Sequence, residues 1–459
     1  MCASRLGDVE DPLIPPDWLT NEVAVVGLGR TGVAVSEWLA DHGVRVYASD
    51  ADDRAQLAGA AEALGAKSVA VDLGFHDLQR IRSSAAVIVS PGVPPNAPPL
   101  AAARGAGVEI VAELDIAARA LTGVNLVVVT GTNGKTTTTA LITHLLRSAG
   151  KAVEAAGNIG LPLIALADSA PSLEWVVVEA SSFQLHDSPS LTPTVGVLTN
   201  LAPDHLDRYD SVDAYYADKK LLFRNATDES VWILNGDDEG VQGMATGIRG
   251  ERRAWSTHTH AEAWWNRSTG ELMVGDRMVI DRADVPLLGD HNVENTLAAI
   301  LVAAAAAVPP EQIAAAIPHL RPLPHRLEAV REIDGVLWIN DSKATNVAST
   351  RVALQAMDRP FVLIAGGRDK GESLDPLLSL LQHCRRVVAY GEAREKLRRA
   401  LGGSAELEVV ETLEAAIRSA NSLVRNGEAV LLSPACASFD QFRDFEERGD
   451  VFKQLVKDL

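Results

Sequence analysis

Short apolar runs, each ending in glycine or in polar side chains, recur along the whole chain. Buried strands of α/β proteins read this way, with polar loops at their ends. The series opens at residues 22–26 (EVAVV), continues at 44–48, which leads to Asp50, and at 86–89, which runs into the stiff loop 90–95 (SPGVPP). It resumes at 127–129, 175–178 and 194–198, then at 336–339, 361–365, 386–390 and 429–432. Helix-compatible stretches lie between them, 413–424 being one. The longest apolar run, 297–308, is too short and too alanine-rich to span a bilayer and suits a buried helix. Alternating strands and helices predict an α/β chain of three domains with largely parallel sheets. Residues 1–120 form a Rossmann-like N-terminal domain, 121–321 a central P-loop ATPase-type domain, and 322–459 a C-terminal Rossmann-like domain. Pro322 and Pro324 stiffen the second boundary and disfavour helix there.

Several strand ends carry candidate chemistry. The run 127–139 reads VVVTGTNGKTTTT, a strand, a glycine-bearing loop, Lys-Thr and a helix start. That order is the layout of a phosphate-gripping P-loop, whose amides and helix terminus face anionic oxygens. Lys135 supplies a mobile positive charge and Thr136 can hold Mg²⁺. The alternative is a glycine-rich turn with a surface lysine. Gly27-x-Gly29-x-x-Gly32 follows the first strand, and Asp50 stands near the place of a ribose-binding acid, so this segment taken alone predicts NAD. Glu179 sits at a strand tip, as an Mg²⁺ ligand or as a solvated carboxylate. Asp204, His205 and Asp207 follow another strand, as a site or as helix caps. Lys219 and Lys220 fall in a predicted helix, where the bland reading is two solvated lysines. The segment 289–295 (GDHNVEN) reads a base or ribose, or merely caps a helix; Arg326 closes over a phosphate or forms a surface ion pair. Polar loops at 340–346, 365–371 and 432–438 follow strands of the last domain and together make a binding face.

Composition narrows the field. A formal charge of −19 over 459 residues argues against nucleic-acid binding, which needs a basic footprint, but leaves small anions and metal ions open. Three cysteines without paired spacing, Cys2, Cys384 and Cys436, predict a reduced compartment. Residues 1–10 are polar and acidic and lack the features of a signal peptide. A cytoplasmic protein without membrane insertion is expected.

The segments GTNGKTT, GNIG (157–160), EASSFQL (179–185), NLAPDHLDRY (200–209), HNVEN, PHR, NDSKATN, GGRDKG and SPACASFDQF occur in this order. Together they closely resemble the Mur ligases of peptidoglycan synthesis, from about residue 23 to the end. The resemblance implies an ATP-dependent amide ligase acting through an acyl phosphate, and NDSKATN with SPACASFDQF points to the member that adds D-glutamate to UDP-N-acetylmuramoyl-L-alanine. It turns the first glycine motif from NAD to uridine diphosphate, held by Gly29, Arg30, Thr31, Asp50, Ser90, Gly92 and Asn96, with Asn158, Ser181 and His205 towards the sugar. It implies ATP on Gly131, Thr132, Asn133, Gly134, Lys135, Thr136 and Thr137, and on Asn292, Arg326 and Asp341. Mg²⁺, expected as two ions, falls to Thr136, Glu179, His205 and a carbamylated lysine, Lys219 or its neighbour Lys220. Lys135, His205 and Lys219 are the implied catalytic groups. D-Glutamate falls to Lys343, Thr345, Lys370, Ser438 and Phe445. A monomer is expected. Remaining alternatives are another amide ligase, of Mur or folylpolyglutamate synthetase type, and a P-loop regulatory protein.

Overall fold

The structure, a computed structural model, describes residues 13–53, 55–204 and 208–459. In the first sheet β1 (Glu22–Val26), β2 (Arg45–Asp50), β3 (Ala70–Leu73), β4 (Ala86–Val89) and β5 (Glu109–Ala112) are all parallel. Their order is β3-β2-β1-β4-β5. Direction of winding reverses between β1 and β4, and there an open parallel sheet leaves a crevice at its carboxyl edge.

The second sheet is built from β6 (Asn125–Thr130), β7 (Val153–Gly157), β8 (Trp175–Glu179), β9 (Val195–Leu198), β10 (Val231–Asn235), β11 (Glu251–Ser256), β12 (Ala263–Asn266), β13 (Glu271–Val274) and β14 (Arg277–Asp281). They run in the order β14-β13-β12-β11-β10-β9-β6-β8-β7. The strands from β7 to β12 are parallel, and the central ones are buried along their length, which is why they read as unbroken valine runs. The last three strands depart from the parallel expectation: β12-β13-β14 is an antiparallel meander. Gly270 and Gly275, both at positive φ, turn its two hairpins.

The third sheet comprises β15 (Glu328–Ile333), β16 (Val336–Asn340), β17 (Phe361–Gly366), β18 (Cys384–Tyr390), β19 (Glu406–Val409) and β20 (Ala429–Leu432), in the order β15-β16-β20-β17-β18-β19. Only β15 runs antiparallel.

Packing divides the chain into two units, Met1–Asp281 with Glu294–Ala316, and Arg282–Val293 with Ile317–Leu459. Within the first unit one apolar cluster runs from Val25, Ile88 and Val111 to Val128, Val176 and Leu234, so the first two sheets share a core. Glu113 is sealed in this seam and accepts the amide of Ile164; burial pushes its carboxyl up to about 7. In the second unit apolar layers cover both faces of the third sheet, one around Leu363 and Val387, the other around Trp338 and Phe452. No helix among the described residues is long and apolar enough to cross a membrane.

Candidate active site

The turn after β1 shows why it needs its glycines. Gly27 has φ +92°, and a Cβ there would stand 2.8 Å from Val93 and 2.9 Å from Ser90. At Gly32 a Cβ would run into the Gly27 carbonyl, whereas at Gly29 it would meet nothing. Gly27 and Gly32 thus close the turn, and Gly29 leaves its backbone open at the start of the helix Arg30–Asp41. A cavity of about 810 Å³ opens here, large enough for a nucleotide sugar. It gathers Gly29, Arg30, Thr31, Asp50, Ser90, Gly92, Asn96 and Asn158. Two of these groups already have tasks within the fold. Asp50 accepts the amide of Leu28 at 2.7 Å and that of Asp52 at 3.0 Å, and Ser90 Oγ donates to the Gly27 carbonyl at 2.7 Å. Ser181 does not line the cavity. It is buried at the N-cap of the helix Ser182–His186, in a capping box with Gln184.

The second glycine loop joins β6 to the helix Lys135–Ser148. Residues from the end of β9 hold it open. Asn200 Oδ1 accepts the Asn133 amide at 2.8 Å, the Asn200 carbonyl accepts the Thr132 amide at 2.9 Å, and Thr199 Oγ1 donates to the Asn133 carbonyl at 2.6 Å. Gly134, the N-cap at φ +83°, leaves no room for a Cβ beside Asn295, whose Oδ1 also takes the Thr138 hydroxyl at 3.0 Å. Thr136 and Thr137 lie in the first turn of that helix. Lys135 Nζ donates to the carbonyls of Gly131 at 3.0 Å and Thr132 at 2.8 Å.

Lys219 reaches the same carbonyl. It ends the helix Val212–Lys220 with its side chain buried, its Nζ 2.7 Å from Gly131 O and 4.5 Å from the Tyr215 ring centre. The solvated-lysine reading therefore fails for Lys219, while Lys220 is exposed. Burial, reinforced by the charge of Lys135 and opposed by Asp204 and Asp218, pulls the Lys219 amine down to about 6. Glu179 ends β8 opposite Val129 of β6 and is also buried, so it is no solvated carboxylate. Its Oε1 accepts Asn158 Nδ2 at 3.0 Å; its Oε2 is buried without a partner among the described residues. Asn158, which lines the large cavity, thereby links it to Glu179. His205 and Asp207 lie outside the described residues.

In the second unit the loops after β16, β17 and β20 are sewn together. Ala435 donates its amide to the Ala344 carbonyl at 3.0 Å, and Arg368 and Ala437 exchange backbone hydrogen bonds. Asp341 is buried, accepting the Leu327 amide at 3.2 Å and the Ser433 hydroxyl at 2.8 Å; burial lifts its carboxyl to about 7. Lys343 Nζ lies 4.9 Å from the ring centre of Phe445, and Lys370 Nζ approaches Thr345 Oγ1 at 3.4 Å. Both contacts start from the loop after β16, and Ser438 is buried in the loop after β20. Arg326, half-buried, precedes β15. Asn292, in the first turn of the helix Asp290–Ala305, donates Nδ2 to the Leu288 carbonyl at 2.7 Å.

Sequence reasoning missed Arg448. It is fully buried, with Nε on Ser342 Oγ at 2.9 Å, Nη2 on the Ser342 carbonyl at 2.8 Å and Nη1 on the Cys436 carbonyl at 3.1 Å. It fixes two of the three loops, and only an arginine inside an amphipathic helix advertised it. Asn200 entered the sequence reading only as the first residue of the segment NLAPDHLDRY.

A phosphate loop with a buried acid and lysine, beside a nucleotide-sized cavity in the same unit, marks a nucleotide-handling α/β protein, and the chain belongs to the Mur ligase family. Three family models match in order: the Mur ligase MurD-like N-terminal domain over 21–112, the Mur ligase middle domain over 129–303, and the Mur ligase glutamate ligase domain over 325–436. Among similar chains are the UDP-N-acetylmuramoylalanine–D-glutamate ligases of Geobacter metallireducens, 41% identical over 444 residues, and of Geotalea uraniireducens, 40% identical over 447. Each alignment covers 96% of this chain and 98% of the relative. The fold is also that of a UDP-N-acetylmuramate–alanine ligase from Thermotoga maritima, with a TM-score of 0.60, 19% identity, and coverage of 95% of this chain and 99% of that one.

Proposed function

We propose that this chain joins D-glutamate to UDP-N-acetylmuramoyl-L-alanine at the expense of ATP, in cytoplasmic peptidoglycan precursor synthesis. The observation that carries the reading is the link through Asn158, from a nucleotide-sized cavity to a buried acid at the P-loop. The activity is that of its relatives over nearly their whole length.

A carboxylate is a poor electrophile with a poor leaving group. Transfer of the γ-phosphoryl of ATP to the substrate carboxylate gives an acyl phosphate; the D-glutamate amine then adds to its carbonyl carbon, and inorganic phosphate leaves. The amides at the start of the helix Lys135–Ser148 receive the phosphates, the Thr132 and Asn133 amides being held by Asn200, and Lys135 moves from its two loop carbonyls to the transferring group. The residues present fit Mg²⁺. Glu179 Oε2 is a buried oxygen without a partner among the described residues, and Mg²⁺ commonly takes one or two protein oxygens plus phosphates. Glu179 and the Thr136 hydroxyl would hold the ion, which would supply charge neutralisation for phosphoryl transfer.

Lys219 is assigned as the carbamylated lysine of a second ion, with His205. A depressed amine is largely unprotonated near neutral pH, the form that adds to CO₂ with release of a proton. Gly29, Arg30, Thr31, Asp50, Ser90, Gly92 and Asn96 are assigned to uridine diphosphate, and Asn158 to the sugar. Asn292, Arg326 and Asp341 are assigned to ATP, and Lys343, Thr345, Lys370, Ser438 and Phe445 to D-glutamate. Domain boundaries near 120 and 321, and a monomer, complete the reading. Mass spectrometry of the product formed from ATP, UDP-N-acetylmuramoyl-L-alanine and D-glutamate tests it. A product heavier by one glutamyl residue is expected; phosphate release driven by another amino acid, or by none, would overturn it.

A further inference from the structure

The loop after β4 walls two spaces. Ser90, Pro91 and Val93 face the large cavity and also a second, smaller one of about 220 Å³ within the same unit. One part of the small cavity's wall is apolar, formed by Val89, Leu100, Ala112, Phe183 and Ala214, and the rest is polar or charged. A cavity of about 150 Å³ with apolar walls accommodates benzene, so this one has room for a ring with a short side chain.

Most of its polar groups are engaged within the fold; the carboxylates of exposed Asp210 and of Asp187 accept no hydrogen bond among the described residues. Arg208 lies over the Phe183 ring at 4.0 Å and donates to the carbonyls of Pro91 at 3.0 Å and Val93 at 2.8 Å. Asp218 accepts His186 Nδ1 at 2.8 Å on one oxygen and the Tyr209 hydroxyl at 2.9 Å on the other. Asp187 ends the helix Ser182–His186 with its side chain 24% exposed. Among the described residues no hydrogen bond reaches its carboxylate; His186 Nε2 lies 3.9 Å away, and the charges of Arg104 and Arg208 act on it from the same cavity wall without bonding to it. A largely buried carboxylate short of donors favours a ligand that brings one.

We propose that this small cavity is a ligand site for a compact arylalkyl ammonium compound, its ring among the apolar walls and its ammonium on Asp187, and that occupancy is felt in the large cavity through the shared loop. A ligand packed beneath Pro91 and Val93 braces the segment that Arg208 straps down, so a nucleotide on the other side binds tighter. Linkage requires the nucleotide to tighten the amine by the same factor. The coupling rests on reading the large cavity as a uridine nucleotide site; the ligand site does not.

The test uses 2-phenylethylamine and UDP as probes on the full chain, with binding followed by calorimetry and by saturation-transfer NMR. Saturable binding of the amine is expected, weaker by roughly tenfold or more in Asp187→Asn, in line with loss of a charge-assisted hydrogen bond. It should be lost in Ala214→Leu, which fills the cavity, and weaker for 2-phenylethanol. The Kd of UDP should fall severalfold with the amine present in the wild type and stay constant in Ala214→Leu. Absence of saturable binding, undiminished binding in both variants, or a UDP affinity indifferent to the amine would overturn the proposal. Failure of UDP to bind a protein that does bind the amine would instead remove the nucleotide assignment and leave the ligand site standing.

Discussion

Replacing Lys219 by methionine should end catalysis and yet stabilise the fold. The amine is buried, and its value falls from 10.5 to about 6. In the unfolded chain the same amine holds its proton up to its ordinary value. Between the two values the unfolded state therefore binds one more proton than the native state, so this group lowers stability progressively as pH falls from about 10 to about 6. At pH 7.5 the gap to the ordinary value is about three pH units, which at 1.36 kcal/mol each comes to roughly 4 kcal/mol. Methionine keeps the length of the side chain and has no proton to lose. Its cost is one hydrogen bond to Gly131 O, a carbonyl that retains Lys135. Denaturant unfolding of both proteins in CO₂-depleted buffer, from pH 7 to pH 9.5, is the assay. Lys219→Met should be the more stable at pH 7.5 by about 2–4 kcal/mol, and its advantage should shrink by about 1.4 kcal/mol for each pH unit. A constant difference, or a less stable variant at pH 7.5, would refute a neutral buried amine and the carbamate argument built on it.

Lys135→Ala should lower kcat about a thousandfold and leave UDP-sugar affinity within twofold, since a phosphate contact strengthened in the transition state is worth several kcal/mol; stopped-flow turnover and calorimetry check the two halves. Lys370→Ala should raise the KM for D-glutamate tenfold to a hundredfold with little change for ATP, as expected for a lost charge-assisted bond; initial-rate kinetics would expose an error if ATP suffered instead. Glu113→Gln should match wild-type stability at pH 4 and exceed it by up to about 3 kcal/mol at pH 8. The unfolded carboxyl titrates at its ordinary 4.5 and the folded one near 7, so the wild type loses stability as pH rises between those two values and no further above them; melting curves at the two pH values decide. Gly32→Ala should abolish UDP binding through the clash with the Gly27 carbonyl, whereas Gly29→Ala should weaken it only by crowding the ligand.

Most strands buried on both faces were legible because their sequence is uniform. β6 and β8 are valine runs, and the acids and lysines that matter stand at their ends. Several strands that escaped are short and half-exposed, such as β3 and β19, where mixed polar and apolar residues resemble loops, but β10, buried along nearly its whole length, escaped as well. The glycine loops announced themselves through chemistry that glycine alone permits. The environment of Lys219 did not, because two adjacent lysines on a helix look alike until the helix is rotated onto Gly131. Arg448 escaped for a similar reason: its partners are carbonyls and a hydroxyl distant in sequence, and a backbone acceptor leaves no mark in a side-chain pattern.

Lys135 rests on the carbonyls of its own loop, and Asn200 and Thr199 grip the same loop from β9. A phosphate loop braced in this way takes its shape from hydrogen bonds within the protein. Arrival of a nucleotide then exchanges hydrogen bonds instead of ordering a chain, so the usual entropy of loop closure is absent from the binding step. A cell starved of nucleotide would therefore keep its stock of this protein intact, with no floppy glycine segment offered to proteases, and could resume wall synthesis from the enzyme already in hand.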